Sequence, residues 1–389
     1  MTARALKGRA AIVGVGTAGC GEADGFLEIE ILARAAKAAV DDAGLTLGDV
    51  DGLCTASITS VTWPTLVVEH LALRPAHVDG TTIGGASFVA HLLSAVMAIE
   101  AGVAHTVLIA YGSTQRTGAG RGEIARLRAA IDPHPLEAPY APFNPPTAYA
   151  LAAARHMHQY ATTRAQLAEI AVAARAWANL NPDAFRQGPL TVDDVLAARM
   201  VADPLTVRDC CLVTDGAAAV VVTSAERARD LAREPVHILG VAATATHRQI
   251  SEMADLTVTG AAVTGPRAFD MAGLGPGDMD VLQLYDAFTI TPLLFLEDLG
   301  FCAKGEGGAF VSGGRLAPGG ALPTNTNGGG LSCVHPGMYS LFGIVEAVTQ
   351  LRGDGGARQV PGARTALVHG NGGVLSAQAT AILGNRAAA

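Results

Sequence analysis

The sequence predicts an α/β protein built from two related half-domains, and three observations carry that expectation. An eleven-residue stretch occurs twice: residues 43–53 read AGLTLGDVDGL and residues 272–282 read AGLGPGDMDVL, identical at seven of eleven positions with an offset of 229. A second echo pairs AHTVLIAYG (104–112) with ARTALVHGNG (363–372). A period this long marks a duplicated half-domain rather than a solenoid. Finally, short apolar runs alternate with helix-period segments along both halves, the pattern of strand–helix–strand units. The short connections predict helices on both faces of a largely parallel sheet. The pseudo-twofold between the halves is where the site is expected.

The elements follow in order. AAIVGVG (10–16) is an apolar run ending in glycines, a buried strand. Residues 26–43 carry apolar positions at helical spacing, DGLCTAS (51–57) is a strand, 64–73 a helix and HVDGTTI (77–83) extended. ASFVAHLLSAVMAIEAG (86–102) is a long apolar helix stopped by Gly102, and HTVLIAYG (105–112) another buried strand. Residues 113–190 break the pattern with a Gly/Arg-rich stretch, a Pro-rich loop (133–146) and helices near 147–160 and 164–180, an excursion of the kind that carries binding surface. DGAAAVVVTS (215–224) returns to strand. The second half repeats the scheme with a strand at 236–246, a helix near 265–273, a strand at 280–288, helices at 290–300 and 337–352, and strands at 365–373 and 376–384. The division is therefore 1–112 and 191–232 for the N-terminal half, 113–190 for the insert, and 233–389 for the C-terminal half.

Composition narrows the class. A chain of 389 residues can bury one large core or two side by side. Half the residues are hydrophobic, 16% are charged and the mean hydropathy is +0.32. Ala and Gly supply much of this, and no run of about 18 apolar residues suggests a membrane span. Such a balance fits a buried sheet and an oligomer interface. Net charge is −8 without a basic stripe, which argues against nucleic acid. The N-terminus shows no apolar signal region. Six cysteines (20, 54, 210, 211, 302, 333) include no CxxC pair and read as reduced thiols of a cytoplasmic protein, with no metal site. Cys210 and Cys211 precede a strand and are expected in the core.

Several segments together resemble the thiolase superfamily over nearly the whole chain: DCCLVTDGAAAVVVTS (209–224), LYDAFTITPLLFLEDLGFC (284–302), LPTNTNGGGLSCVHPGMYS (322–340), EAVTQLRG (346–353) and HGNGGVLSAQATAILG (369–384). Within it the similarity is greatest to sterol-carrier-protein-type thiolases and the thiolase-fold aldolases of steroid side-chain breakdown. The resemblance implies a thiolase fold, with two five-stranded sheets in a five-layered α/β/α/β/α arrangement, normally a homodimer.

The family's chemistry implies four positions. A cysteine normally opens the long central helix in a Cys-x-Ser-Gly pattern, where the helix end favours the thiolate. This chain reads Gly85-Ala86-Ser87-Phe88, and no cysteine lies between Cys54 and Cys210. Ser87 is an alternative nucleophile only with a paired base. A histidine in a Gly-His-Pro turn normally stabilises the thioester oxyanion; here the turn is Cys333-Val334-His335-Pro336-Gly337, with Cys333 a small apolar filler. The Asn of an Asn-Glu-Ala-Phe motif is replaced by Tyr285 in Tyr285-Asp286-Ala287-Phe288, as in the steroid aldolases, whose second tyrosine lies near this chain's His335; Tyr339 is a possible substitute. The second catalytic cysteine is replaced by His369 in His369-Gly370-Asn371-Gly372-Gly373, facing the partner of the Gly85 helix. Histidine titrates near neutrality and serves as acid or base.

The resemblance thus implies an enzyme acting on acyl-coenzyme A thioesters, with coenzyme A as part of the substrate and no covalently bound cofactor. The leading expectation is aldol or retro-aldol chemistry on a bulky 3-hydroxyacyl-CoA. His369 or Tyr285 takes the hydroxyl proton, and His335 with backbone amides near Gly85 and Asn371 stabilises the enolate. Alternatives are a 3-ketoacyl-CoA thiolase using free coenzyme A as direct nucleophile, and a non-catalytic scaffold subunit. Relatives of this type often work with a small OB-fold/zinc-ribbon partner. Arg116 and Arg121 are candidates for coenzyme A phosphates, and Tyr140, Phe143 and Tyr149 for an apolar acyl pocket. His156 and His158, at i and i+2, face different sides of their helix and make no metal site.

Overall fold

The computed structural model describes residues 3–60, 62–118 and 136–386. The first half comprises β1 (Ala10–Gly21), α1 (Glu28–Asp42), β2 (Gly52–Thr55), α2 (Trp63–His70), β3 (His77–Asp79), α3 (Ser87–Glu100) and β4 (Thr106–Ser113). The insert and its return contribute α4 (Pro146–Tyr160), α5 (Arg164–Ala178), α6 (Val192–Leu196), a small hairpin of β5 (Met200–Ala202) and β6 (Leu205–Thr206), then β7 (Asp215–Ser224) and α7 (Ala225–Ala228). The second half holds β8 (Val236–Ala245), α8 (Ala261–Ala272), β9 (Val281–Leu284), α9 (Ile290–Asp298), α10 (Gly307–Val311), α11 (Ser340–Arg352), β10 (Thr365–Gly372) and β11 (Ala377–Gly384).

The repeated sequence builds repeated structure. Each copy closes its helix with a left-handed glycine, Gly44 at φ +70° and Gly273 at φ +65°. Each then makes a short 3-10 turn, Leu47–Asp49 or Pro276–Asp278, held by an aspartate reaching back to a backbone amide: Asp49 to Thr46 at 2.8 Å and Asp278 to Gly275 at 2.7 Å. The second aspartate of each copy ties the next strand pair together. Asp51 accepts from the amides of His105 and Thr106, and Asp280 from those of Arg364 and Thr365. One sequence motif therefore fixes the same strand register twice.

The strands run β3-β2-β4-β7-β1-β8-β11-β10-β9. Two expectations change here. First, the sheet is mixed: only β2–β3, β2–β4 and β9–β10 are parallel. β7 and β11 run against both of their neighbours. β10 and β11 are joined by so few residues that only an antiparallel pair is possible. Second, in place of two five-stranded sheets there is one nine-stranded sheet, in which the five strands of the first half meet the four of the second edge to edge, where Ala11 pairs with His237 and Ile12 with Val236. The fifth position of the second half is reduced to a single parallel bridge, Leu282 to Thr324.

The five-layered arrangement nevertheless holds. α3 and α11 pack on each other and on strands from both halves, so they form the central layer. α1 covers β1, β4 and β7 from outside, and α8 covers β8 and β11. This explains the apolar run of α3, which buries Phe88, Val89, Leu92, Ala95 and Val96. The Phe, Val and Leu side chains among these contribute about 1.5–3 kcal/mol each on full burial. The start of α3 is thereby fixed between the halves.

Candidate active site

The site is assembled where the start of α3 meets three loops of the second half. At Gly85 an added Cβ would lie 2.3 Å from Tyr285 Cε2, 2.5 Å from Tyr285 Oη and 2.6 Å from the Asn371 carbonyl oxygen. The phenol of Tyr285 thus fills the space that a side chain at position 85 would need. The contact continues along the loop: a Cβ on Gly372 would lie 1.7 Å from the Ile83 carbonyl oxygen. Only glycine permits this backbone approach. Ser340, at the start of α11, donates its hydroxyl to the Gly85 carbonyl and completes the junction.

Tyr285 stands just beyond β9. Its amide still bonds the His369 carbonyl at 3.0 Å, while the Asn325 side chain takes the preceding amide, of Leu284, at 2.7 Å. The expected strand 280–288 therefore stops at Leu284, and residues 285–288 turn into the site. The Tyr285 phenol lies 3.4 Å from the Gly337 carbonyl. Burial drives its pKa well above the usual phenol value, so the hydroxyl stays protonated. The His335 ring stands edge-on to Tyr285 at 5.5 Å, and Tyr339 at 5.7 Å. His335 and Tyr339 lie parallel at 6.2 Å. Tyr339 donates to Asn327 Oδ1 at 3.1 Å, and burial raises its pKa well above the phenol value too.

A buried aspartate sets the His335 loop. Asp286 accepts from the amides of Gly330 at 2.6 Å and Leu331 at 3.1 Å. These belong to a single π turn, Gly329–Cys333, of the kind that often marks functional sites. Burial raises the Asp286 pKa to about 6 against the pull of those amides. The next residues are fixed by the His335 amide on Thr214 Oγ1 at 2.9 Å and by the Tyr111 phenol on the Pro336 carbonyl at 2.5 Å.

The structure thus brings together Gly85, Tyr285, His335, Tyr339 and Asn371, with Cys333 buried nearby. The Cys333 thiol accepts from Asn181 at 3.5 Å, and burial raises its pKa well above the thiol value, as an apolar filler requires. Ser87 holds the turn before α3: it donates to the Gly84 carbonyl at 2.7 Å and accepts from the Ile83 amide at 2.9 Å. That engagement leaves it in the structural role rather than as a nucleophile.

His369 does not join the group. Its neighbours in β10, Val368 and Gly370, face the central helices: Val368 lies against Gly343, and Gly370 against Ala86 and Ser340. With side chains alternating along a strand, His369 points to the opposite face. There it packs on Phe295, with Nδ1 2.8 Å from Thr380 Oγ1 and Nε2 2.9 Å from Gln378 Oε1. Burial lowers its pKa to about 4, which keeps it neutral. The expectation that it faces the partner of the Gly85 helix fails because the register places residues 368 and 370 on that face.

Other expectations also shift. Asn371 contributes its carbonyl to the site, while its side chain bonds the Tyr149 phenol at 2.7 Å and Gln378 at 2.8 Å. Tyr149, stacked on Phe288 at 4.4 Å, braces this loop instead of lining an acyl pocket, and Tyr140 and Phe143 are exposed. Cys210 and Cys211 are half-buried rather than in the core. Cys211 sits close enough to Tyr285 to influence its phenol. His156 is buried on Glu297 and Thr162, and His158 is exposed. Among the described residues there is no cluster of metal-ligating side chains. Arg116 pairs with Glu22, and Arg121 lies outside the described residues. Asp286, Asn325 and Asn327 went unassigned in the sequence, although all three stand inside motifs that it displays.

Fold and site define a duplicated α/β/α/β/α protein with a buried tyrosine–histidine pair at the start of its central helix. Residues 242–385 match the family model described as thiolase C-terminal domain-like. The 17-hydroxy-3-oxo-4-pregnene-20-carboxyl-CoA lyase of Mycobacterium tuberculosis is 36% identical over 90% of this chain and 92% of its own length. An acetyl-CoA acetyltransferase of Methanothermobacter thermautotrophicus is 33% identical over 93% of this chain and 96% of its own. Among solved structures, the Ltp2-ChsH2(DUF35) aldolase superposes with a TM-score of 0.88 at 33% identity, covering 97% of this chain and 98% of that one. The chain belongs to the thiolase superfamily.

Proposed function

We propose that the protein cleaves a bulky 3-hydroxyacyl-CoA by a retro-aldol reaction without an acyl-cysteine intermediate. The observation that carries this is the Tyr285 phenol occupying the space beside Gly85. A covalent nucleophile there has no room, whereas aldol chemistry needs only a proton acceptor and a donor to the developing oxyanion. His335 accepts the proton of the 3-hydroxyl. The C2–C3 bond breaks, a carbonyl forms at C3, and the electron pair passes to the thioester enolate. Tyr285, held protonated by burial, donates a hydrogen bond to the enolate oxygen, and C2 then receives the proton that His335 took from the 3-hydroxyl. The products are a ketone or aldehyde and a shorter acyl-CoA, and no coenzyme A is consumed. The lyase and the aldolase among the relatives support this reading.

The thiolase alternative relied on His369 to activate free coenzyme A, and that ring faces away from the site. A scaffold role sits poorly with the retained buried Tyr285, His335 and Tyr339, since polar groups are costly to bury. The structural relative bears two component names, Ltp2 and ChsH2(DUF35), which supports a partner subunit here, for which the small OB-fold/zinc-ribbon protein expected from the sequence is our candidate. A cytoplasmic homodimer completes the reading. Its support is the open edge strand β3, where Val78 is exposed.

The test is retro-aldol activity of Tyr285→Phe and His335→Ala, assayed with the partner subunit. Each loses roughly 10²–10⁴-fold in kcat, the usual range for one acid or base. Undiminished turnover in both variants contradicts the assignment.

A further inference from the structure

His369 faces away from the site, yet it stands in the middle of a chain of hydrogen bonds that returns to it. Thr264 on α8 meets Thr380 on β11, hydroxyl to hydroxyl, at 2.7 Å. Thr380 Oγ1 lies 2.8 Å from His369 Nδ1, and His369 Nε2 lies 2.9 Å from Gln378 Oε1. Gln378 Nε2 donates to Asn371 Oδ1 at 2.8 Å, and Asn371 Nδ2 donates to the Tyr149 phenol on α4 at 2.7 Å. That phenol ends the chain on the Gly373 carbonyl at 2.9 Å. None of the six side chains is more than 2% exposed, so water does not compete for any link.

Two backbone carbonyls fix the direction of every link, because a carbonyl only accepts. Gly373 takes the Tyr149 proton, which burial holds on the phenol by raising its pKa to about 12. The phenol oxygen then accepts from Asn371 Nδ2, so Asn371 Oδ1 turns to Gln378. Gln378 Nε2 donates there and to the Leu375 carbonyl at 3.3 Å, so its Oε1 turns to His369. His369 Nε2 therefore carries the ring proton. Burial keeps the ring neutral, so Nδ1 accepts from Thr380. All donors point from β11 towards the insert, and bonds aligned in this way polarise one another and rigidify what they join.

What the chain joins is the rim of the site. The Asn371 carbonyl oxygen and Tyr285 Oη lie 2.6 and 2.5 Å from one point, the place of a Cβ on Gly85. A Cβ on Gly84 would lie 2.8 Å from both Gly372 Cα and the Gly373 amide, so residues 371–373 are seated on the turn that opens α3. Tyr149 also stacks on Phe288, three residues beyond Tyr285. We propose that this chain positions Tyr285 for the reaction, with His369, through its Nε2–H, and Tyr149, from the insert, as positioning residues that seat the 371–373 loop against Gly84 and Gly85. His369 thus orients, and takes no part in acid–base chemistry. This role rests on the reading of Tyr285 as the hydrogen-bond donor in retro-aldol cleavage.

The experiment measures kcat and KM for cleavage of one 3-hydroxyacyl-CoA. Tyr149→Phe keeps the ring on Phe288 and removes only the hydroxyl, and His369→Leu removes the Nε2–H. Each lowers kcat roughly tenfold at unchanged KM, as a small displacement of the reacting groups does. The double variant falls no further than the lower single variant, because one chain is broken twice. His369→Gln, which offers Gln378 a donor again, recovers part of the loss. In a Tyr285→Phe background, Tyr149→Phe lowers kcat no further, and this comparison stands alone if His369→Leu does not fold. Reduced stability with unchanged kcat, losses that multiply in the double variant, or an undiminished loss on top of Tyr285→Phe overturns the proposal. If the wild type cleaves no 3-hydroxyacyl-CoA, the retro-aldol reading falls on its own. Amide hydrogen exchange then still decides the positioning role: Tyr149→Phe speeds exchange roughly tenfold in residues 371–376 and, across the junction, in residues 83–87. Faster exchange in 371–376 alone, or in neither segment, overturns it.

Discussion

At the scale of single residues, the site turns on one exchange of volume. Gly85 has no side chain because Tyr285 stands where one would go. Gly85→Ala is expected to cost roughly 1–3 kcal/mol by overpacking and to displace the phenol, lowering both Tm and kcat. Gly85→Cys alone restores no thiolase activity, whereas Gly85→Cys combined with Tyr285→Asn relieves the clash and is more stable than Gly85→Cys alone, a coupling that thermal unfolding reads directly. His369 gives a second prediction. Its folded pKa of about 4 lies below the ordinary imidazole value, so the unfolded chain binds the proton first on acidification. Its contribution is present above about pH 6.5 and is lost as pH falls towards 4, with a slope of about 1.4 kcal/mol per pH unit. Asp286 works in the opposite sense, because its pKa is raised to about 6 and its burial weighs against the fold as pH rises from about 4 to 6. The two slopes oppose each other, so the difference in stability between wild type and His369→Gln isolates the histidine term. A pH-independent difference contradicts it. Gly85, Tyr285 and His335 were legible in the sequence because their motifs are continuous. The facing of His369 was not, since it depends on which alternate positions of β10 meet the central helices.

At the scale of elements, the repeated motif explains why so much of the fold was readable. Asp51 and Asp280 do the same work in both halves, and the helices and strands around them fall close to their expected bounds. The π turn at Gly329–Cys333 was not legible, because it is made by a distant residue, Asp286, and not by its own sequence. Asp286→Ala leaves two buried amides without acceptors. We expect a loss of about 1–3 kcal/mol for each, together with lower kcat as the His335 loop loses its support. Full activity with reduced stability would separate the turn from the chemistry.

At the scale of the whole molecule, two sheets expected to stand apart are joined through β1 and β8, and the largely parallel sheet is mixed. Strand direction follows from the return strands β7 and β11, which periodicity alone does not orient. The insert is tied to the second half by a buried network. His156 on α4 meets Glu297 on α9 at 3.0 Å, and Glu297 also takes Lys304 at 3.1 Å and the Gly307 amide at 2.8 Å. The halves and the insert together close the site around Tyr285. The central claim is that this closed site performs carbon–carbon cleavage without an acyl-enzyme. Its most direct test is mass spectrometry of a panel of branched and cyclic 3-hydroxyacyl- and 3-ketoacyl-CoA thioesters, including any co-purifying partner protein, with and without free coenzyme A. The account predicts that a 3-hydroxyacyl-CoA is split to a carbonyl product and a shorter acyl-CoA in the absence of added coenzyme A. Cleavage confined to 3-ketoacyl-CoA and dependent on free coenzyme A contradicts it.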